Sequence, residues 1–180
     1  MKLLFASDIH GSNYYLNKLV DDIDKENPDK IVLLGDLLYH GPRNDLPLGY
    51  EPKKVIDLLN SYKEKIICVR GNCDTEVDQM VLNFPILSDY LNIFIDNLNI
   101  FVTHGHKYNK DNLPPLSKDD ILIYGHTHIP LNTVVDNIIC LNPGSVSIPK
   151  ENSPHSFLIY ENKKFIWKTI DGQEYMNCIL

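Results

Sequence analysis

Five short polar clusters carry the residue types that could do chemistry: Asp8-Ile9-His10, Gly35-Asp36, Gly71-Asn72-Cys73-Asp74, His104-Gly105-His106 and Gly125-His126-Thr127-His128. Each follows a short apolar run, so each falls where a strand is expected to end. Imidazole and carboxylate suit borderline divalent ions such as Mn, Fe, Zn, Co or Ni, and an Asn amide oxygen adds a neutral ligand. Asp36 has two oxygens with which to bridge two ions. Two-metal sites, with ions about 3.5 to 4 Å apart, clamp the attacking and leaving oxygens of a displacement, and phosphoryl transfer is the natural chemistry. A lone histidine at a strand end is more often structural, and a lone Gly-Asp is usually a turn. Five clusters in order, holding five of the seven histidines, are hard to attribute to turns. If extended backbone persists, residues two apart share a face, so Asp8 with His10, and His126 with His128, would point into one pocket. Ser145 and Thr127 have no identified base and read as turn or supporting hydroxyls, which argues against a serine hydrolase.

The elements that must position these clusters are legible as patterns. Lys2 to Ala6 and Lys30 to Gly35 are apolar runs of the kind buried parallel strands show. Between them Leu16, Leu19, Val20 and Ile23 recur at helical spacing, with Ser12 or Asn13 able to cap the start and Pro28 just past the end. A second helix is expected near Pro52, with Val55, Ile56, Leu59 and Tyr62 inward, followed by a third strand over 65–70. Tyr39 to Tyr50 reads as an ordered loop over the site. After Phe84-Pro85 the pattern becomes strand pairs split by two-residue turns at Asp96-Asn97, Asp136-Asn137 and Glu161-Asn162. The expected fold is α/β, a four-layer α/β/β/α sandwich with helices on both outer faces, in a single domain over 1–180.

Composition narrows the class of partner. The 180 residues are 43% apolar, enough for a sizeable core, and the longest apolar runs are too short to cross a bilayer. No secretory signal is evident, because Asp8 interrupts the apolar start and no small-residue cleavage site follows. The four cysteines form no CxxC pair and read as free thiols, so a cytoplasmic setting is expected. A net charge of −7 argues against bulk nucleic acid as partner. It does not argue against a small phosphorylated ligand held by cations. The sequence leaves a homo-oligomer open.

The ordered clusters DxH, GD, GNxD, GH and GHTH resemble the signature of calcineurin-like metallophosphoesterases. Further stretches, Tyr39-His40-Gly41-Pro42-Arg43-Asn44 and Asn142-Pro143-Gly144-Ser145, resemble the YfcE-type phosphodiesterases within that family. The resemblance implies that Asp8, His10, Asp36 and His128 hold one divalent ion and that Asp36, Asn72, His104 and His126 hold the other, with Mn the first choice. It implies attack on phosphorus by a metal-bridging hydroxide, with Asn72, Asp74 and His104 in the catalytic set. Asp74 is expected to steady an imidazole such as His10 or His104. Many broader relatives place histidine where this chain has Cys73, which leaves the general acid unassigned. YfcE-type relatives share the cysteine and cleave activated aryl phosphodiesters. Arg43, whose planar fork suits phosphate, and His106 are the expected substrate contacts. The expected function is hydrolysis of a small phosphate ester, with a noncatalytic protein-interaction scaffold of the same fold, or a nuclease, as the alternatives.

Overall fold

A computed structural model describes residues 1–180. The first half alternates strands and helices: β1 (Leu3–Ala6), α1 (Asn13–Glu26), β2 (Lys30–Leu33), α2 (Pro52–Ser61), β3 (Ile66–Cys68) and the single turn α3 (Glu76–Gln79). The second half is all strand: β4 (Tyr90–Ile95), β5 (Leu98–Thr103), β6 (Ile121–Ile123), β7 (Leu131–Val135), β8 (Ile138–Asn142), β9 (Ser156–Glu161), β10 (Lys164–Thr169) and β11 (Glu174–Ile179). α1 starts where the Ser12 hydroxyl accepts the Tyr15 N–H, and it ends at Asn27, which takes the left-handed conformation (φ 43°) before Pro28.

Two sheets form. The six-stranded one has the order β11-β10-β9-β1-β2-β3 and the five-stranded one the order β4-β5-β6-β8-β7. β1, β2 and β3 run parallel, as do β5, β6 and β8. Parallel strands are covered on both faces, which is why they read as continuous apolar runs. α1 and α2 place Leu16, Leu19, Ile23, Val55 and Leu59 against Leu4, Ala6, Ile31, Leu33 and Ile66 on one face of the six-stranded sheet. Its other face packs Leu3, Phe5, Val32 and Leu34 against Ile100, Val102, Ile121 and Ile123 of the second sheet.

The two-sheet α/β sandwich expected from the sequence is therefore present, with two details changed. The outer face of the second sheet carries no helix. Tyr108, Leu113 and Leu116 cover Phe101, Leu122 and Tyr124 there, from the connection between β5 and β6. Pro114 and Pro115 in that connection are incompatible with a helix interior. The β9–β10 hairpin turns at Asn162-Lys163 (φ 51° and 60°), one residue later than expected, while Asp96-Asn97 and Asp136-Asn137 turn as expected.

Candidate metal centre

All five clusters lie just beyond the carboxyl ends of parallel strands β1, β2, β3, β5 and β6, where open α/β sheets place their ligands. The backbone reaches the site by turning sharply. Asp8, His10, Asp36, His126 and His128 all have positive φ, between 48° and 65°. The left-handed region costs non-glycine residues about 1–3 kcal/mol each, and such strain clusters at functional sites. The side chains thus converge through left-handed turns, not through the extended alternation expected. Close approach of two loops does the rest: a Cβ on Gly35 would lie 2.3 Å from the Gly71 nitrogen, and one on Gly71 would lie 2.2 Å from Asp36 Oδ1. Only glycines allow Asn72 to stand beside Asp36.

Three imidazoles are oriented by backbone carbonyls. Nδ1 of His10 lies 2.7 Å from the Tyr39 oxygen, Nδ1 of His104 2.6 Å from that of Leu34, and Nδ1 of His128 2.8 Å from that of Ile148. A carbonyl only accepts, so Nδ1–H donates in each case and Nε2 is turned inward. Asp8 Oδ1 lies 3.3 Å from His128 Nε2 and 3.5 Å from His10 Nε2. Asp36 Oδ2 lies 3.4 Å from His104 Nε2 and 3.7 Å from His10 Nε2, between the two groups. His104 Nε2 is also 3.1 Å from Asn72 Oδ1 and 3.2 Å from His126 Nδ1. The expected residues therefore gather as two adjoining sets, Asp8-His10-His128 and Asp36-His104-His126, with donor atoms within 4.8 Å of one another in each.

The donor chemistry fits a cation. Asp8 is fully buried, and its Oδ1 has no hydrogen-bond partner. Its Oδ2 accepts from the Ser7 hydroxyl and the His126 N–H. A buried carboxylate oxygen facing imidazole nitrogens is costly unless positive charge compensates it. The titration of the group says the same. Burial opposes ionisation of Asp8, yet His10 and His128 hold its carboxyl well below the usual carboxylate range. Burial likewise works against charge on His104, but Asp36 and Asp8 outweigh it and raise the imidazole to about 9. His126, desolvated and next to His104, falls to about 4.

Several roles differ from expectation. Asp74 does not steady an imidazole, because the ring Nδ1 atoms are occupied by carbonyls. Its carboxylate instead accepts the backbone N–H groups of Asp36 (2.8 Å), Leu37 (2.9 Å) and Gly71 (2.7 Å), which fixes the turn that carries Asp36. His106 is not on the cleft wall. Gly105 turns the chain at φ 119°, and the His106 ring lies against those of His104 and His126, with centroids 5.4 and 6.1 Å away.

A cleft of about 450 Å³ opens over the two sets, lined by residues including Asp36, Arg43, Asn72, Cys73, His126, His128 and Lys150. Arg43 is exposed there and forms no ion pair within the chain. Lys150 escaped the sequence reading. Its N–H bonds to the His128 carbonyl (3.1 Å), a contact that its position 22 residues along the chain does not advertise. Ser145 acts as the supporting hydroxyl expected of it, donating to the Asp8 carbonyl at 3.0 Å; Ser147, which the sequence did not single out, donates to the same oxygen at 2.9 Å. Cys73 donates its N–H to Asp36 Oδ1 (2.8 Å), and burial, with the Asp36 charge, pushes its thiol up to about 12.

The profile of the calcineurin-like phosphoesterase superfamily domain matches residues 1–164. The sequence is 48% identical to phosphodiesterase YfcE of Escherichia coli over 162 residues, 90% of this chain and 88% of that protein. It is 27% identical over 151 residues to a phosphodiesterase of Methanocaldococcus jannaschii, covering 80% of this chain and 83% of that one. The solved structure of YfcE, described as a phosphoesterase from E. coli, aligns with a TM-score of 0.95 at 44% identity over 99% of this chain and 98% of its own.

Proposed function

Because the chain belongs to the calcineurin-like phosphoesterase superfamily, we propose that it is a metal-dependent hydrolase of small phosphate esters, chiefly diesters, working as a single domain over 1–180. The observation that carries this reading is the pair of ligand sets joined at Asp36 Oδ2 and opening onto one polar cleft. Asp8, His10, Asp36 and His128 would hold one divalent ion; Asp36, Asn72, His104 and His126 would hold the second. Mn is the first choice, with Fe, Zn, Co or Ni as alternatives. When bound, the ions would lower the pKa of water toward roughly 7 and offset charge on the phosphate oxygens.

The chain's own groups set up the rest. Arg43 and Lys150 bring the cleft's two basic side chains to an anionic substrate, Arg43 through a planar fork and Lys150 as a point charge. Asp74 keeps the Asp36 turn rigid. Cys73 stays a neutral thiol and is a poor proton donor, so the leaving oxygen must depart without much help. That favours diesters with stabilised leaving groups, such as aryl phosphodiesters. No helix is long and apolar enough to cross a membrane, and all four cysteines are unpaired, which supports a reducing, cytoplasmic setting. A protein acting only as a scaffold would have no use for a complete, strained ligand set. Two basic residues in the cleft and a net charge of −7 do not suit a nucleic-acid backbone.

The test is a panel of aryl phosphodiesters, phosphomonoesters, cyclic nucleotides and single-stranded DNA, assayed with several divalent metals. Aryl diesters should turn over fastest, with rates falling as leaving-group pKa rises. Absence of turnover on every ester with every metal would remove the enzymatic reading.

A further inference from the structure

Asn142-Pro143-Gly144-Ser145 stands out in the sequence, and nothing in the proposed reaction uses its first residue. Asn142 closes β8 and is wholly buried. A buried amide is costly unless its polar atoms are bonded. Its Oδ1 accepts the Gly144 N–H (2.8 Å), while Nδ2 donates to the Gly125 carbonyl (2.8 Å) and to the Thr127 hydroxyl (3.1 Å). A carbonyl only accepts and a backbone N–H only donates, so these partners fix which way the amide faces. The backbone of Asn142 is held as well, because its carbonyl accepts the indole N–H of buried Trp167 at 2.7 Å.

Both Nδ2 partners belong to the turn Gly125-His126-Thr127-His128, which supplies one imidazole to each ligand set. No helix or strand contains this turn. The Thr127 N–H bonds back two residues to the Gly125 carbonyl (2.7 Å), with His126 between them at φ 65°. A three-residue turn of that sign is the rare, strained form of the γ-turn. His128 follows at φ 62°. On one side, Asp8 Oδ2 accepts the His126 N–H (3.0 Å), and a Cβ on Gly125 would overlap the Ser7 hydroxyl oxygen. Through Gly125 and Thr127, the Asn142 amide grips the same turn on either side of His126.

We infer that Asn142 is a positioning residue of the metal centre: its amide keeps the strained turn in place and so sets His126 for one ion and His128 for the other. The inference rests on the two-ion reading where it concerns ions, and on the observed contacts where it concerns the turn. Ser145 and Ser147 differ, because their hydroxyls donate to the Asp8 carbonyl and so serve one set. Removal of the Asn142 amide should weaken both ions together.

Calorimetric titration of the full chain with Mn tests this, alongside amide hydrogen exchange of the metal-free protein. Asn142→Leu keeps a similar volume, removes the donor and should weaken binding of both ions by about 100-fold, the upper end for groups that orient metal ligands. Thr127→Val changes an exposed side chain and takes away one of the two acceptors. It should cost about 10-fold at both ions, whereas Thr127→Ser should bind as the wild type does. Ser156→Ala is the control for a purely structural role. It removes a buried hydrogen bond to the Pro143 carbonyl (2.7 Å) in the same segment, and should lower stability without changing Mn affinity. In metal-free protein, the residue-127 amide should lose protection in Asn142→Leu and Thr127→Val and keep it in Thr127→Ser and Ser156→Ala. Unchanged Mn affinity in Thr127→Val, loss of one ion alone in Asn142→Leu, or an equal loss in Ser156→Ala overturns the inference. A wild type that takes up no Mn removes the two-ion reading, and exchange then decides alone: a residue-127 amide as protected in Thr127→Val as in the wild type overturns the positioning role, and a less protected one upholds it.

Discussion

The residues that matter most here hold conformations their neighbours must enforce. Asp8, His10, Asp36, His126 and His128 sit in left-handed turns, and Asp8 Oδ1 is buried without a partner. The ligand types could be read from the sequence because Asp, Asn and His clusters after apolar runs are chemically distinctive. The manner of their convergence could not, since positive φ at a non-glycine position has no local signature. Lys150 was invisible for a similar reason: a single exposed lysine acquires meaning only when a tertiary hydrogen bond brings it to His128. Cys73 is the residue on which substrate choice is expected to turn. A general acid contributes about 10² to 10⁴ in rate for a poor leaving oxygen, and much less for a stabilised phenolate. Cys73→His should therefore raise turnover of alkyl esters and flatten the dependence of rate on leaving-group pKa, provided the ring fits. Rates across a nitrophenyl-to-alkyl series, with metal content measured alongside, decide the matter. An unchanged slope at unchanged metal content removes Cys73 from the explanation.

At the scale of elements, the strands and helices of the first half followed their patterns closely, because parallel strands and amphipathic helices impose strong periodicities. The misreadings occurred where loops compete with regular structure. Residues between β5 and β6 cover the second sheet without a helix, and Asn162-Lys163 forms the turn in place of Glu161-Asn162 because Lys163 also accepts positive φ. The role of Asp74 was misread because its partners are three backbone N–H groups from two separate turns. One tie between elements makes a measurable prediction. Glu26 at the end of α1 binds Lys168 of β10 and Lys2 just before β1, the latter at 3.0 Å. Burial opposes ionisation of Glu26, but these two lysines hold its carboxyl below the usual range. A carboxyl whose folded pKa is depressed stabilises the fold fully above its unfolded pKa, about 4.3 for glutamate. That contribution is lost as pH falls through the lower folded value. Chemical denaturation from pH 6 downward should therefore show a loss of stability below about 4.3 that Glu26→Gln reduces, with the variant less stable near neutrality. Identical pH profiles would mean that this tie contributes nothing.

Across the whole molecule, two sheets packed face to face bring five strand ends, from both halves of the chain, to one rim. The fold explains why metal ligands so far apart in sequence converge, and the family match and the alignment with YfcE agree with that architecture. The central claim is that the rim holds two ions sharing Asp36. Metal content per chain, measured together with aryl phosphodiester turnover after chelation and stepwise return of Mn, tests it most directly. The account predicts near-complete loss of activity on chelation and full recovery only as occupancy approaches two ions per chain. It also predicts that Asp36→Asn, which removes the charge shared by both sets, has reduced occupancy and turnover even at saturating Mn. Full turnover by demonstrably metal-free protein, or normal occupancy and rate in Asp36→Asn, would contradict it.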